Sequence, residues 1–348
     1  MEGRSRSDAP GPRRQTLSTS HPAAPLFSIG VTTYDRLELL RETLQSVLRR
    51  DCADVEILVG NDNPARQLDA GTIGTSDPRV RIINHPVNLG EMGNMNALLS
   101  EAKGRYFSWL ADDDLYAATT LSTVARAITK FQDPPCVFTT YSIQALSALG
   151  ADGDAAQLEP AEFLRRYLGR SLPVLGCYGF YRHEQLLALG GMTRLSPGLS
   201  PYSDNLLALK AAILRPVVID SPLIYFRTHD QSLSFTSVDV AGYRAAQEAL
   251  WAVFNDQLLP RAGIGDAARD AIRADLLAWC VKDFYGVVGR SGRWQEKELK
   301  SYALFLRTAY LDFDRYPWRV ATTASRERLK LPLRILRQKW RGRARAAA

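Results

Sequence analysis

What most constrains this chain is a repeating exchange of strand-like and helix-like segments that begins at Leu26. Residues 26–31 form an apolar run of strand length. Residues 36–50 then place Leu39, Leu40, Thr43, Leu44, Val47 and Leu48 on one helical face, with Asp35 where an N-cap belongs. Residues 55–60 and 80–83 read as further strands. Asn88-Leu89-Gly90 opens a helix that runs to about Ala102 and that Gly104 stops; strand 105–110 follows. A helix over 118–131 and a strand over 136–141 continue the pattern. Strands exchanging with helices at this spacing predict an α/β fold, a mostly parallel sheet with helices on both faces.

Past Tyr141 the pattern weakens. Residues 145–160 read as a variable loop. A strand-like stretch over 176–181 leads into helix 183–189, which Gly190-Gly191 ends. Asp204 opens a helix to about Leu214, and 217–220 and 223–227 read as short strands. Beyond Thr236 the pattern becomes helical, with apolar residues such as Leu250, Trp251, Phe254, Leu258, Leu276, Leu277 and Trp279. The expected organisation is a polar segment over 1–25, an α/β domain over 26–235, a helical C-terminal region over 236–318 and a basic tail over 319–348. The first segment is rich in Arg, Ser, Pro and Ala, shows no periodicity, and is expected to be disordered; a cleaved transit peptide has a similar composition.

At 348 residues, 46% hydrophobic and 23% charged, the chain has the composition of an ordinary globular protein with ample core. No run of about 18 apolar residues occurs, so no segment is expected to span a bilayer. Cys52, Cys136, Cys177 and Cys280 form no CxxC pair, and the histidines fall in no zinc spacing. Neither a zinc site nor a disulfide framework is indicated, and a reducing cytoplasm fits.

The net charge of +7 is concentrated at one end. Residues 319–348 hold ten basic residues and one acid, Glu327, a net +9, which leaves −2 for the rest of the chain. A near-neutral body argues against a nucleic-acid-binding core, whose basic surface should spread over a face of the fold. In the tail, Leu329, Leu333, Leu336 and Trp340 recur at helical spacing beside a stripe of Lys330, Arg334, Arg337 and Arg341. Over about 325–345 this is a basic amphipathic helix of the kind that lies in an anionic membrane interface. A helix packed on the domain, or an RNA-binding tail, accounts for the same pattern. Pro332 is expected to confine the regular helix to its C-terminal side.

Strand 105–110 ends in Ala111-Asp112-Asp113-Asp114. Adjacent carboxylates repel, and the arrangement makes sense if a divalent cation sits there; hard oxygen ligands favour Mg²⁺ or Mn²⁺, which in turn hold phosphates. An acidic turn with Asp114 or a neighbour capping the next helix is the alternative. Strand one ends in Thr32-Thr33-Tyr34-Asp35-Arg36 and strand two in Asn61-Asp62-Asn63. All three clusters would lie along one edge of a parallel sheet, the edge where nucleotides bind.

With these motifs in order, residues 26–235 resemble the inverting family 2 glycosyltransferases, of GT-A (Rossmann-like) fold. The family's Pro-Thr-Tyr-Asn-Arg appears as Thr32-Thr33-Tyr34-Asp35-Arg36, and its second-strand acid as Asn61-Asp62. Its Asn-Leu-Gly, a following Asn and Ala-x-Gly appear as Asn88-Leu89-Gly90, Asn96 and Ala102-Lys103-Gly104. The Asp-x-Asp-Asp metal motif appears as Ala111-Asp112-Asp113-Asp114, and a late Gly-Gly followed by an Asp opening a helix as Gly190-Gly191 and Asp204. The closing Tyr-Arg-x-His appears as Tyr225-Phe226-Arg227-Thr228-His229. Three positions depart from the pattern: Ala111 replaces the first Asp, Thr32 the Pro, and Ser203 stands where a Glu often precedes the base.

The resemblance implies a UDP- or dTDP-type nucleotide-sugar donor, an Mn²⁺ or Mg²⁺ cofactor, and a saccharide or lipid-linked acceptor in cell-surface polysaccharide or glycoconjugate assembly. It would place the enzyme in the cytoplasm, peripheral on the inner face of the membrane. Asp113 is implied as principal metal ligand, with Asp114 ligating through water and His229 completing the metal or diphosphate site. Thr33, Tyr34, Asp35, Asp62, Asn88, Gly90 and Asp112 are implied in nucleotide binding, Asp62 by accepting a pyrimidine N3–H. Asp204 is implied as the general base for the acceptor hydroxyl. Each has a plainer reading too: Asp35 and Asp204 as helix caps, Asp62 as an Asx-turn residue, Asn96 as structural, His229 as a surface loop residue. A nucleotidyltransferase of related fold is an alternative, although 32–36 lacks the Gly-rich loop with Arg and Lys usual there. Ala111 suggests another, a catalytically inactive sugar-nucleotide or glycan-binding module.

Overall fold

A computed structural model of the chain describes residues 24–48, 54–144, 149–150, 153–197, 201–228 and 238–346. Of the polar segment expected over 1–25, residues 1–23 lie outside the described residues, as does His229, expected to complete the metal or diphosphate site. Strands β1 (Phe27–Thr33), β2 (Val55–Asn61), β3 (Val80–Asn84) and β4 (Tyr106–Ala111) are parallel, in the order β3-β2-β1-β4. The chain builds outward from β1 to β3 and then returns across β1 to place β4. That reversal leaves a crevice beyond the carboxyl ends of β1 and β4, the place where open α/β sheets bind ligands. Beyond β4 come β8 (Phe180–Arg182), which is antiparallel to both its neighbours, then β6 (Cys136–Ser142) and β9 (Val217–Tyr225), parallel to each other. Short strands β5 (Leu115–Tyr116) and β7 (Ala155–Gln157) run antiparallel on β9.

Side chains alternate across the sheet, so each face has its own core. Phe27, Ile29 and Val31 pack with Leu40 and Leu44 of α1 (Leu37–Val47) and Val124 and Ile128 of α4 (Thr120–Lys130). Leu58, Phe107 and Trp109 face the other way, with Leu98 of α3 (Gly90–Glu101). Between these lies α2 (Ala70–Ile73), and later come α5 (Pro160–Leu168), α6 (His183–Ala188) and α7 (Ser203–Ala212). The C-terminal helices are α8 (Val240–Val253), α9 (Asp266–Arg290), α10 (Glu296–Ala309) and α11 (Trp318–Ala346). They extend the second core: Trp251, Leu276, Phe284, Val320 and Leu331 share one cluster with Trp109 and Phe138.

Several local expectations change. Asp35 does not cap α1; it has φ 60° and its carboxylate pairs with Arg66 at 2.7 Å, while Arg36 takes the N-cap position without a side-chain cap. The acidic triplet caps no helix either, because α4 starts at Thr120, after Thr119. Asp204 lies inside the first turn of α7, behind Tyr202 at the N-cap. The loop expected over 145–160 contains β7, too short and too exposed to show alternation, and ends at Pro160, which opens α5. Ser221-Pro222 does not divide β9; the strand passes through where its pairing with β6 is irregular, a position that tolerates Pro. Finally, α11 runs straight through Pro332. Pro332 is exposed, so the carbonyl it leaves unpaired one turn earlier can be hydrated, and packing of the opposite face holds the helix together.

Candidate active site

The crevice beyond β1 and β4 is a cleft of about 570 Å³ whose lining includes Tyr34, Arg36, Glu91, Asp113, Asp204 and Arg227. The three carboxylates after β4 are divided rather than pooled. Asp112, fully buried, accepts the Thr33 hydroxyl at 2.5 Å and pairs with the Arg36 guanidinium. Asp114, also buried, accepts the Tyr178 hydroxyl and, at 2.8 Å, the backbone N–H of Arg227. Asp113 lines the cleft and meets Arg36 Nη1 at 2.8 Å. Thr43 of α1 pins the turn, its hydroxyl 2.9 Å from the carbonyl oxygens of both Asp112 and Asp114. The mutual repulsion that the sequence suggests is therefore met inside the protein by two arginines and a phenol.

Burial dominates the electrostatics here. It pushes Asp112 up to about 6, against the pull of Arg36 and Thr33. It pushes Asp114 up to about 7, against Tyr178, with Asp113 adding to the rise. At Arg36 burial opposes the charge, but Asp112 and Asp113 outweigh it and hold the guanidinium above its ordinary value.

Among the described residues no three His, Cys, Asp or Glu side chains converge into a metal cage. A hard divalent ion does not need one; Mg²⁺-type sites use one or two carboxylates and complete the shell with phosphate oxygens and water. Asp113 fits that single-carboxylate role, and the Arg36 guanidinium beside it is a stand-in cation. Both oxygens of Asp114 accept hydrogen bonds inside the fold, and Asp114 lines the same cleft as Asp113.

The cleft lining also includes Asp204, on the first turn of α7. Its Oδ1 accepts the Cys177 N–H at 2.6 Å. The close approach needs Gly176, where a Cβ would fall 2.2 Å from the Asp204 carbonyl oxygen and 2.7 Å from the Ala208 nitrogen. Burial raises the Asp204 carboxyl, and the Cys177 N–H only partly offsets that. Tyr202, two residues earlier at φ 69°, is buried. Its hydroxyl reaches Asp283 of α9 and accepts Gln247 Nε2 of α8 at 2.8 Å, and its ring meets Tyr243 and Trp279 edge-on at 5.6 and 5.4 Å.

Asp62 is buried at the end of β2 and accepts the Leu89 N–H at 2.6 Å, while Asn88 Oδ1 accepts the Gly90 N–H at 2.8 Å. These two side chains and Gly90, at φ 71°, set the loop into α3. Asn96 is structural: its amide holds the Met192 N–H and C=O, each at 2.9 Å, beneath the Gly190-Gly191 turn. Thr33 and Asp112 thus meet, buried, behind Asp113, while Asp113 and Asp204 both line the cleft; Tyr34 and Asp35 line it too, Tyr34 exposed and Asp35 paired with Arg66.

Four further residues escape a reading of the sequence. Arg36 and Arg227 sit within recognisable motifs, but nothing in the motifs says that both close on the acidic turn. Arg227 donates to the Asp113 carbonyl and, at 2.6 Å, to Glu42, and its Nη2 has no hydrogen-bond partner among the described residues. Tyr178 carries no signal beyond its aromaticity. Glu91, just after Gly90, is raised by its crowded position in the cleft and by the Asp204 carboxylate nearby.

Fold and cleft define a class: α/β proteins of GT-A type with a cleft at the strand ends that Asp113 and Asp204 both line. Residues 28–173 match the family model of Glycosyl transferase family 2, and the chain resembles that family. A putative colanic acid biosynthesis glycosyl transferase, WcaA, of Escherichia coli K12 is 31% identical over 100 residues, 28% of this chain and 36% of that protein. A GalNAc(5)-diNAcBac-PP-undecaprenol beta-1,3-glucosyltransferase of Campylobacter jejuni is 31% identical over 105 residues, 29% of this chain and 34% of its own. The chain thus spans about a third of the length of these curated relatives. Among solved structures, Staphylococcus aureus TarS 1–349 in complex with UDP-GlcNAc superposes with a TM-score of 0.59 at 17% identity, covering 87% of this chain and 91% of that one. That likeness is one of fold.

Proposed function

We propose that this protein is an inverting, metal-dependent glycosyltransferase that moves a sugar from a UDP- or dTDP-type nucleotide donor to a hydroxyl of a saccharide or lipid-linked acceptor, in polysaccharide or glycoconjugate assembly. One observation carries the reading: Asp113 and Asp204 line a single cleft at the β1/β4 switch point. A bound Mn²⁺ or Mg²⁺ would supply Lewis-acid stabilisation of the diphosphate leaving group. Asp113 would hold it, Asp112 and Thr33 would border the ribose, and Asp62 would offer a carboxylate oxygen to a pyrimidine N3–H. Arg227 brings an unpartnered N–H to the developing diphosphate charge. Asp204 takes the proton from the acceptor hydroxyl as it attacks the anomeric carbon, so the transfer is a single displacement. The enzyme works at the cytoplasmic face of a membrane in this reading.

Donor hydrolysis, measured across a panel of nucleotide sugars with and without Mn²⁺, tests it. Cleavage of one donor that depends on Mn²⁺ and is lost in Asp113→Ala, with the thermal midpoint little changed, is the expected result. A donor bound but never cleaved would make the protein a binding module; cleavage unaltered by Asp113→Ala would remove the metal assignment.

A further inference from the structure

The amphipathic tail packs on the protein, but not by the face its sequence advertises. In α11, Val320, Glu327, Leu331 and Ile335 are buried, at 0, 4, 0 and 7% exposure, against a core that includes α9. Leu329, Leu333, Leu336 and Trp340 are 79, 62, 61 and 73% exposed. At about 100° per residue these four lie directly across the helix from Leu331 and Ile335. Packing is thus complete without them, and they form an apolar stripe that nothing among the described residues covers. Arg326 and Arg337 flank it on one side and Arg328 and Lys339 on the other, all exposed. The one acid of the tail, Glu327, is buried and bound to Lys330 at 3.2 Å and Arg334 at 2.5 Å.

We propose that this face of α11 is a docking surface for an anionic phospholipid bilayer, with the stripe entering the acyl boundary and the basic flanks at the headgroups. Charge selects this occupant. A second copy placed face to face would bring cationic flanks together with no exposed acid to meet them. A nucleic acid would satisfy the flanks but leave four large apolar side chains in water. An anionic lipid surface complements both, since basic residues near it are attracted and aliphatic and indole side chains partition into the interface. Because α11 is anchored along its opposite side, the face is held ready rather than folded on contact. The surface stands on packing and charge alone and does not depend on the donor chemistry.

The full-length chain is tested by sedimentation with vesicles of phosphatidylcholine alone and with phosphatidylglycerol admixed, at low and high salt. It should pellet with the anionic vesicles, far less with the zwitterionic ones, and be only partly released by salt. The double substitution Leu333→Glu/Leu336→Glu should abolish pelleting while the circular dichroism spectrum and thermal midpoint stay unchanged, since both side chains are exposed. Leu333→Ser/Leu336→Ser, a milder pair, should weaken it in the same direction if the first pair misfolds. Equal pelleting of wild type and variants overturns the proposal, as does equal binding to both vesicle types. So does a wild-type dimer, seen by analytical ultracentrifugation, that the substitutions dissolve without any vesicle binding.

Discussion

Asp204 carries the most at the scale of single residues. As the proposed general base it must be ionised, and burial raises its carboxyl above the ordinary 3.8, so turnover should fall as pH drops through that raised value. The acid limb of a kcat–pH profile is therefore expected above the normal aspartate range; a limb at or below that range would remove Asp204 as the base. Asp204→Asn keeps size and hydrogen bonding and should lower kcat by roughly 10²–10⁴ with donor affinity little changed. A drop of less than about threefold would leave the residue a structural role only. The residues legible in the sequence are those whose chemistry shows in the one-letter code at a strand end, Asp112, Asp113 and Asp62. Arg36, Glu91, Tyr178 and Arg227 are not legible in that way. Their roles come from closing distances across tens of residues of chain, as when Arg227 reaches the acidic turn at Asp114. The same holds for how the triplet is divided: three adjacent carboxylates look alike in sequence, and only burial and partner distinguish them.

The elements are readable in sequence wherever an apolar run of strand length or a single apolar helical stripe is present. Strands β1, β2 and β4 are almost wholly buried, and α1 and α4 carry one apolar stripe each, so period and length settle them. Failures cluster where an element is short, as in β5 and β7, or where backbone geometry decides, as at Asp35. The tail is the instructive case. Its conspicuous stripe is real, yet the packing face is the quieter one through Leu331 and Ile335, partly hidden in sequence by the neighbouring Leu residues and Pro332. This makes a sharp comparison possible. Leu331→Ala, at 0% exposure, should cost about 2–5 kcal/mol in chemical denaturation. Leu333→Ala, two residues on, should stay within about 0.5 kcal/mol. Equal effects would mean that α11 is not seated as described.

For the whole molecule, the sheet and the C-terminal helices are joined by one continuous core, so the helical region is a buttress of the cleft as much as an appendage. Deleting residues from Ser325 onward would strip Leu331 and Ile335 from that core. The expected outcome is a lower thermal midpoint and reduced donor cleavage in solution; a truncated protein with unchanged midpoint and rate would show α11 to be expendable for the fold. Tyr202 explains why activity should follow stability. The first turn of α7 hangs from α8 and α9 through its hydroxyl and ring, at Gln247, Asp283, Tyr243 and Trp279. The order in which a ribosome makes the chain then gains meaning. Thr33, Asp62 and Asp113 are all translated well before Tyr243 and Asp283, so the residues proposed for the donor can assemble on a growing chain while Asp204, the proposed proton acceptor, still lacks its clasp. On the proposed function, a partly made chain would hold its sugar nucleotide before it could transfer the sugar.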